Sequence, residues 1–149
     1  MNKIRLSKSS ISQNEKEAVL KVLGKEYLGM GEEVMLFEKK IKNYFQTTMD
    51  VVCVNTGTSA LHLALSALTL KGGDEVLVPS LTYVASYQAI SATGAIPISC
   101  EINPNTLFLD LDDARAKITK NTKVIMPVHY ASSSKGMNEV YKLAHDFGL

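Results

Sequence analysis

The sequence predicts an α/β fold in which helices cover both faces of one mostly parallel sheet, a three-layer αβα sandwich. After two N-terminal helix patterns, strand-like and helix-like segments alternate four times. Such alternation implies parallel strands joined by right-handed crossovers. The strand candidates Val51–Val54, Glu75–Val78, Ile96–Cys100 and Lys123–Val128 are short apolar runs closed by turn residues. No repeat, low-complexity run or linker interrupts them, and 149 residues suit one domain with a sizeable core.

The elements follow in order. Ser12 opens the first helix with Glu15 three residues on, a capping-box pair, and Gly24 is its stop. Leu20, Val22 and Leu23 give it apolar surface. The loop Tyr27–Gly31 leads to a second helix with Val34, Phe37, Ile41 and Tyr44 at helical spacing, while Glu32, Glu33, Glu38, Lys39 and Lys40 face water. Val51 to His62 joins a strand, the polar turn Asn55-Thr56-Gly57-Thr58-Ser59, and a helix over Ala60–Leu70. Lys71-Gly72-Gly73-Asp74 turns into the next strand, which Pro79 and Ser80 end. A helix over Val84–Thr93 closes at Gly94 before the third strand, and Glu101–Thr106 is a loop. Asp110, with Asp113 three residues on, caps a helix to Ile118. After the fourth strand, Gly136–Phe147 is a helix with Val140, Tyr141 and Ala144 inward. Phe147-Gly148-Leu149 reads as a helix end that introduces a further strand, so the sequence looks cut at an element boundary.

Composition excludes several classes of function. Apolar residues make up 46%, charged residues 21% and the formal charge is +1, which is globular. Lysines and acids alternate without a basic stripe, so no nucleic-acid footprint is present. No segment approaches the roughly 20 apolar residues of a membrane span. The N-terminal Met1–Lys8 carries positive charge but no apolar core follows, so no leader is read and a cytoplasmic location is expected. Cys53 and Cys100 read as buried free thiols rather than a disulfide. His62, His129 and His145 are too scattered for a metal site.

In parallel sheets ligands sit beyond the carboxyl ends of the strands, which selects Asn55–Ser59, Pro79–Tyr83 and His129–Lys135. The first gathers amides, hydroxyls and the positive end of a helix dipole, a setting for phosphate or another anion. The same residues also serve as ordinary helix caps. Tyr83 can lie flat on a planar heterocycle or simply pack at its helix start. Ser132-Ser133-Ser134-Lys135 contains a Ser-x-x-Lys spacing used by serine nucleophiles, but the rest of that signature is missing.

Asn55–His62, Gly72–Val76, Val78–Ala85 and Ile125–His129, taken together, resemble the pyridoxal-phosphate-dependent sugar aminotransferases of the DegT/DnrJ/EryC1/StrS family. The resemblance begins near Leu6 and runs to Leu149, covering the first part of a family member. It implies the large domain of the type I, aspartate-aminotransferase-like fold, here incomplete, with residues 1–50 as an N-terminal helical segment and the small C-terminal domain absent. By position Gly57, Thr58 and Ser59 would hold the phosphate of pyridoxal 5'-phosphate and Tyr83 would stack on its ring. Gly29, Met30 and Gly31 resemble a loop near the substrate. The sequence departs from the family at Ala131 and Ser132, where many members have glycine and glutamine.

The family's catalytic lysine and the aspartate on the pyridine nitrogen are expected beyond Leu149, so no catalytic residue is assigned here. Lys71 and Lys135 do not match the lysine's motif. The resemblance implies a homodimer that moves an amino group, with glutamate as expected donor, to a keto nucleotide-sugar in amino-sugar or surface-glycan synthesis. Two alternatives stand beside it: a same-fold dehydratase, and an inactive truncated remnant or interaction module.

Overall fold

The first helix begins where a serine satisfies its free amides. Ser12 caps α1 (Gln13–Gly24): its hydroxyl accepts from the Asn14 amide at 3.2 Å, and Glu15 accepts from the Ser12 amide at 2.6 Å. α2 (Glu32–Tyr44) follows, with Gly31 as its N-cap. The computed structural model describes residues 7–149. Met1–Leu6, on which the reading of the N-terminus and the start of the resemblance partly rest, lie outside the described residues.

One compact unit ends at Cys53 and a second spans Val54–Leu149. In the first unit neither helix buries a residue. Of the apolar residues read along these helices, Leu20, Leu23, Phe37 and Tyr44 are exposed, whereas Val22, Val34 and Ile41 are half-buried. Periodicity sets where a stripe lies, but only a covering element buries it. Glu38, expected to face water, is half-buried because its carboxylate accepts the Cys53 amide at 2.8 Å.

The second unit is built on a parallel sheet with strand order β2-β1-β3, formed by β1 (Glu75–Pro79), β2 (Ile96–Cys100) and β3 (Thr122–Ile125). Glu75 stands opposite Ile96 and Pro79 opposite Cys100 on one side. On the other side Val76 faces Val124 and Leu77 faces Ile125, with an irregularity beside Glu75. The central strand is buried on both faces, and its period-2 alternation divides the core. Val76 and Val78 pack with Leu65 of α3 (Gly57–Ala67) and with Ala89 and Ile90 of α4 (Ala85–Ala92). Leu77 packs with Ala114 of α5 (Leu111–Ala116), Val140 and Leu143 of α6 (Met137–Phe147), and Phe108. Helices thus occupy both faces, as the sequence predicts.

Several boundaries differ for identifiable reasons. Val51–Val54 is not a strand: among the described residues it has no ladder partner, and pairing defines a strand as much as composition does. Cys53 within it is half-buried, while Cys100 is buried; both are free thiols. α3 starts at Gly57 rather than Ala60 because Thr56 caps it. β3 stops at Ile125, short of the expected Val128. On α6 Tyr141 is exposed, and Leu143 takes the inward position expected of it.

An ion pair at α5 also bonds the backbone at the end of β2. The Asp113 carboxylate accepts the Lys117 ammonium at 2.8 Å and the Glu101 amide at 2.7 Å. These bonds, the lysine first, hold the Asp113 carboxyl below its usual range, and the same partner raises Lys117. A carboxyl depressed in the folded state adds stability above its unfolded value of about 4, and that stability is lost as pH falls through the folded value. The wild-type urea midpoint is therefore expected to drop further between about pH 5 and about pH 2.5 than that of Asp113→Asn. Parallel falls in the two proteins would refute the assignment.

Candidate functional site

The anchor candidate begins with the local bonding of Asn55–Ser59. Thr56 is extended (φ −149°, ψ 158°) and its hydroxyl accepts the Ser59 amide at 3.1 Å, which starts α3. The Ser59 hydroxyl donates to Asn55 Oδ1 at 2.8 Å and lies 3.0 Å from Thr56 Oγ1. Ser59, predicted as a phosphate donor, thus has its hydroxyl engaged in the loop's own network. Gly57 and Thr58 are the first two helical residues, so their amides have no intrahelical acceptor. Both residues are exposed, and a Cβ placed on Gly57 would meet nothing within 4 Å. Two free amides, an exposed hydroxyl and the helix dipole make an anion-binding donor set.

Topology brings this set to the same sheet edge as Tyr83. α3 has 11 residues and β1 has 5, so each spans about 16 Å. Leu65 packs on Val76 and Val78, and the turn after α3 enters the start of β1. The N-terminus of α3 therefore returns to the carboxyl end of β1, where the loop into α4 leaves. In that loop the Ser80 amide donates to the Cys100 carbonyl at 2.7 Å, and the Ser86 amide donates to the Tyr83 carbonyl at 3.0 Å. The backbone is held on both sides of Tyr83, whose ring is 79% exposed. An uncovered aromatic face on a fixed backbone can receive a planar ring.

The third predicted loop folds on itself. His129 is exposed and its Nδ1 lies 2.9 Å from the Ser133 carbonyl. Because β3 ends at Ile125, His129 lies farther past the paired strand than the sequence suggests. Ala131 (φ 50°, ψ 36°) and Ser132 (φ 64°) are both left-handed. Each costs on the order of 1 kcal/mol for a residue with a Cβ, and Ala131 stands where many members of the family that the sequence resembles have glycine. Ser132 and Lys135 share no hydrogen bond; the Lys135 amide instead donates to Ser133 Oγ at 3.4 Å. The Ser-x-x-Lys spacing is not assembled as a nucleophile and its activator.

In the first unit, Gly29 and Gly31 line a cavity of about 270 Å³ with Tyr27, Leu28 and Glu33, while Met30 is exposed. A Cβ on Gly31 would stand 2.9 Å from the exposed Tyr27 ring, which would have to move aside. Lys25 pairs with Glu32 and Glu33 at 3.2 Å beside it. Sequence reading missed Asn55 as a support for Ser59, although a short polar residue just before the cap is a visible signal. It also missed Gly136 (φ 88°), whose Cβ would stand 2.8 Å from Phe108 Cδ1. No local pattern announces that approach. Among the described residues no His, Cys, Asp and Glu cluster is arranged to hold a metal, and no helix is long and apolar enough to cross a membrane.

Comparison with known proteins shows the family of the chain. Residues 9–149 match the DegT/DnrJ/EryC1/StrS aminotransferase family. The chain is 36% identical over 148 residues to GDP-perosamine synthase of Caulobacter vibrioides, covering 99% of this chain and 40% of that protein. It is 39% identical to the enzyme of the same name from Escherichia coli O157:H7, covering 100% and 41%. The chain thus spans about two fifths of the relatives it matches. Among solved structures it is similar to the putative sugar aminotransferase Spr1654 from Streptococcus pneumoniae in its PLP form, with TM-score 0.87, 34% identity, and coverage of 94% of this chain and 36% of that one. The E. coli GDP-4-keto-6-deoxy-D-mannose-3-dehydratase with bound hydrated PLP is also similar, at TM-score 0.85 and 27% identity, with coverage of 94% and 37%.

Proposed function

Because this chain belongs to the DegT/DnrJ/EryC1/StrS aminotransferase family, we propose that it is the cofactor-anchoring part of a pyridoxal-phosphate-dependent sugar aminotransferase. The observation that carries this reading is the start of α3, where Gly57 and Thr58 offer two amides without helical acceptors beside an exposed hydroxyl. That donor set suits a phosphate. When bound, pyridoxal phosphate supplies an electron-withdrawing ring and carries the amino group between donor and acceptor.

In this reading each residue has a physical task. The Gly57 and Thr58 amides and the Thr58 hydroxyl hold the phosphate. Ser59, tied to Asn55 and Thr56, keeps the loop in shape and adds little direct contact. Tyr83 lies against the ring and orients it. Both units belong to the cofactor-binding large domain, and the Gly29–Gly31 loop serves the substrate. The whole enzyme would be a cytoplasmic homodimer using a keto nucleotide-sugar and an amino-acid donor, with glutamate expected. This chain contributes binding and orientation, since no lysine in it matches the family's reactive one. The dehydratase reading is supported by the similar fold of the 27%-identical dehydratase.

The test compares pyridoxal phosphate with pyridoxal by equilibrium dialysis. Thr58→Ala is expected to weaken pyridoxal phosphate roughly tenfold, the loss of one hydrogen bond to a charged group, and to leave pyridoxal unchanged. Tyr83→Ala should weaken both. If Thr58→Ala left the phosphate form as tightly bound as before, the anchor would have to be moved elsewhere.

A further inference from the structure

The two edges of the sheet are finished differently. Along β2, the Ile96 amide donates to the Asp74 carbonyl at 2.8 Å, and the Cys100 carbonyl accepts from Ser80 at 2.7 Å. Ile96, Ile98 and Cys100 therefore turn their backbone groups toward β1, and Pro97, Ser99 and Glu101 turn theirs outward. Pro97 has no N–H to offer. The Ser99 carbonyl accepts the Lys117 ammonium at 2.9 Å, and the Glu101 amide donates to the Asp113 carboxylate at 2.7 Å. The Glu101 carbonyl accepts from the Asp110 amide at 2.9 Å. The Lys117 ammonium also bonds Asp113 at 2.8 Å, so one ion pair on α5 covers two successive ladder positions.

We propose that Pro97 and the Asp113–Lys117 pair form an edge guard that closes β2 against strand pairing with a second copy of this chain. An incoming strand would need the Ser99 carbonyl and the Glu101 amide, and both are already bonded. A proline on an edge strand and a helix laid over it both blunt such pairing. The opposite edge is finished otherwise. The Met126 amide donates to the Leu77 carbonyl at 2.8 Å, so β3 turns Lys123 and Ile125 outward. Opening β2 would offer a second copy of this chain a row of unpaired ladder groups, the template on which edge pairing grows.

Sedimentation across a concentration series tests the guard. The wild-type mass is expected to level off as concentration rises. Pro97→Thr combined with Lys117→Met, which restores a donor and frees the Ser99 carbonyl, should give a mass that keeps rising with concentration. Lys120→Met, which removes a nearby charge and leaves the edge alone, should behave as wild type. A folded double variant that plateaus with wild type, or a wild type that grows without limit, would overturn the proposal. Hydrogen exchange on the wild type covers the case in which the variant fails to fold. The Glu101 amide should be protected and the Ser99 amide, also outward, should exchange freely; equal and fast exchange at both would mean that no guard is formed.

Discussion

Replacing Gly136 with alanine is expected to destabilise the fold by about 3 kcal/mol, the sum of left-handed strain and overpacking. Gly136 has φ 88°, and its Cβ would stand 2.8 Å from Cδ1 and 3.0 Å from Cε1 of Phe108. Phe108 is 6% exposed and sits in the cluster with Leu77, Val140 and Leu143, so its ring has nowhere to retreat. Gly94→Ala provides the comparison: φ there is 84°, but a Cβ would meet nothing within 4 Å. It should cost only about 1 kcal/mol. The difference between the two urea midpoints measures the clash, and Phe108→Leu in the Gly136→Ala background should recover part of it. Equal losses at the two glycines would show that the ring yields freely.

Leu77→Ala is the second large effect, with an expected loss of about 4 kcal/mol. Leu77 has no exposed surface and is held from both sides, opposite Ile98 on β2 and Ile125 on β3. Its side chain packs against the α5 and α6 layer. Neighbours on a paired central strand cannot collapse into the space left behind, which places the cost in the upper part of the range for such truncations. Leu68→Ala, at a position 55% exposed, should fall within about 0.5 kcal/mol of wild type. Denaturant unfolding of the two variants side by side checks both numbers. A Leu77→Ala loss no larger than that of Leu68→Ala would contradict the assignment of Leu77 to the core.

Local chemistry was readable where local chemistry decides. The Ser12–Glu15 box and the Asp110 cap depend on residues within one helical turn, and both stand as the sequence predicts. β2 has the predicted bounds because the turn residues around it act over the same short range. Val51–Val54 has strand composition, yet pairing is a property of two segments, and one segment cannot report it. Phe37 and Tyr44 keep helical spacing but lack a covering surface. In the candidate site, the places of the polar turn before α3 and of Tyr83 after β1 were legible from residue type and position. The capture of the Ser59 hydroxyl by Asn55 depends on rotamers that spacing does not reveal. Gly136 against Phe108 joins residues 28 positions apart, a contact known only after folding.

The central position of β1 also dictates an order of events during synthesis. β1, α4 and β2 are contiguous, so that crossover can form as soon as Cys100 has emerged. Completion of β1 waits for β3, since Glu75 takes the Thr122 hydroxyl across a separation of 47 residues. At ribosomal rates of 5 to 20 residues per second, that gap is roughly 2 to 9 s. Throughout it the Leu77 side of the nascent sheet has no α6 to cover it, and α5 arrives only late in it. The interval is the period in which a chaperone or a neighbouring nascent chain meets the apolar face that the finished fold hides.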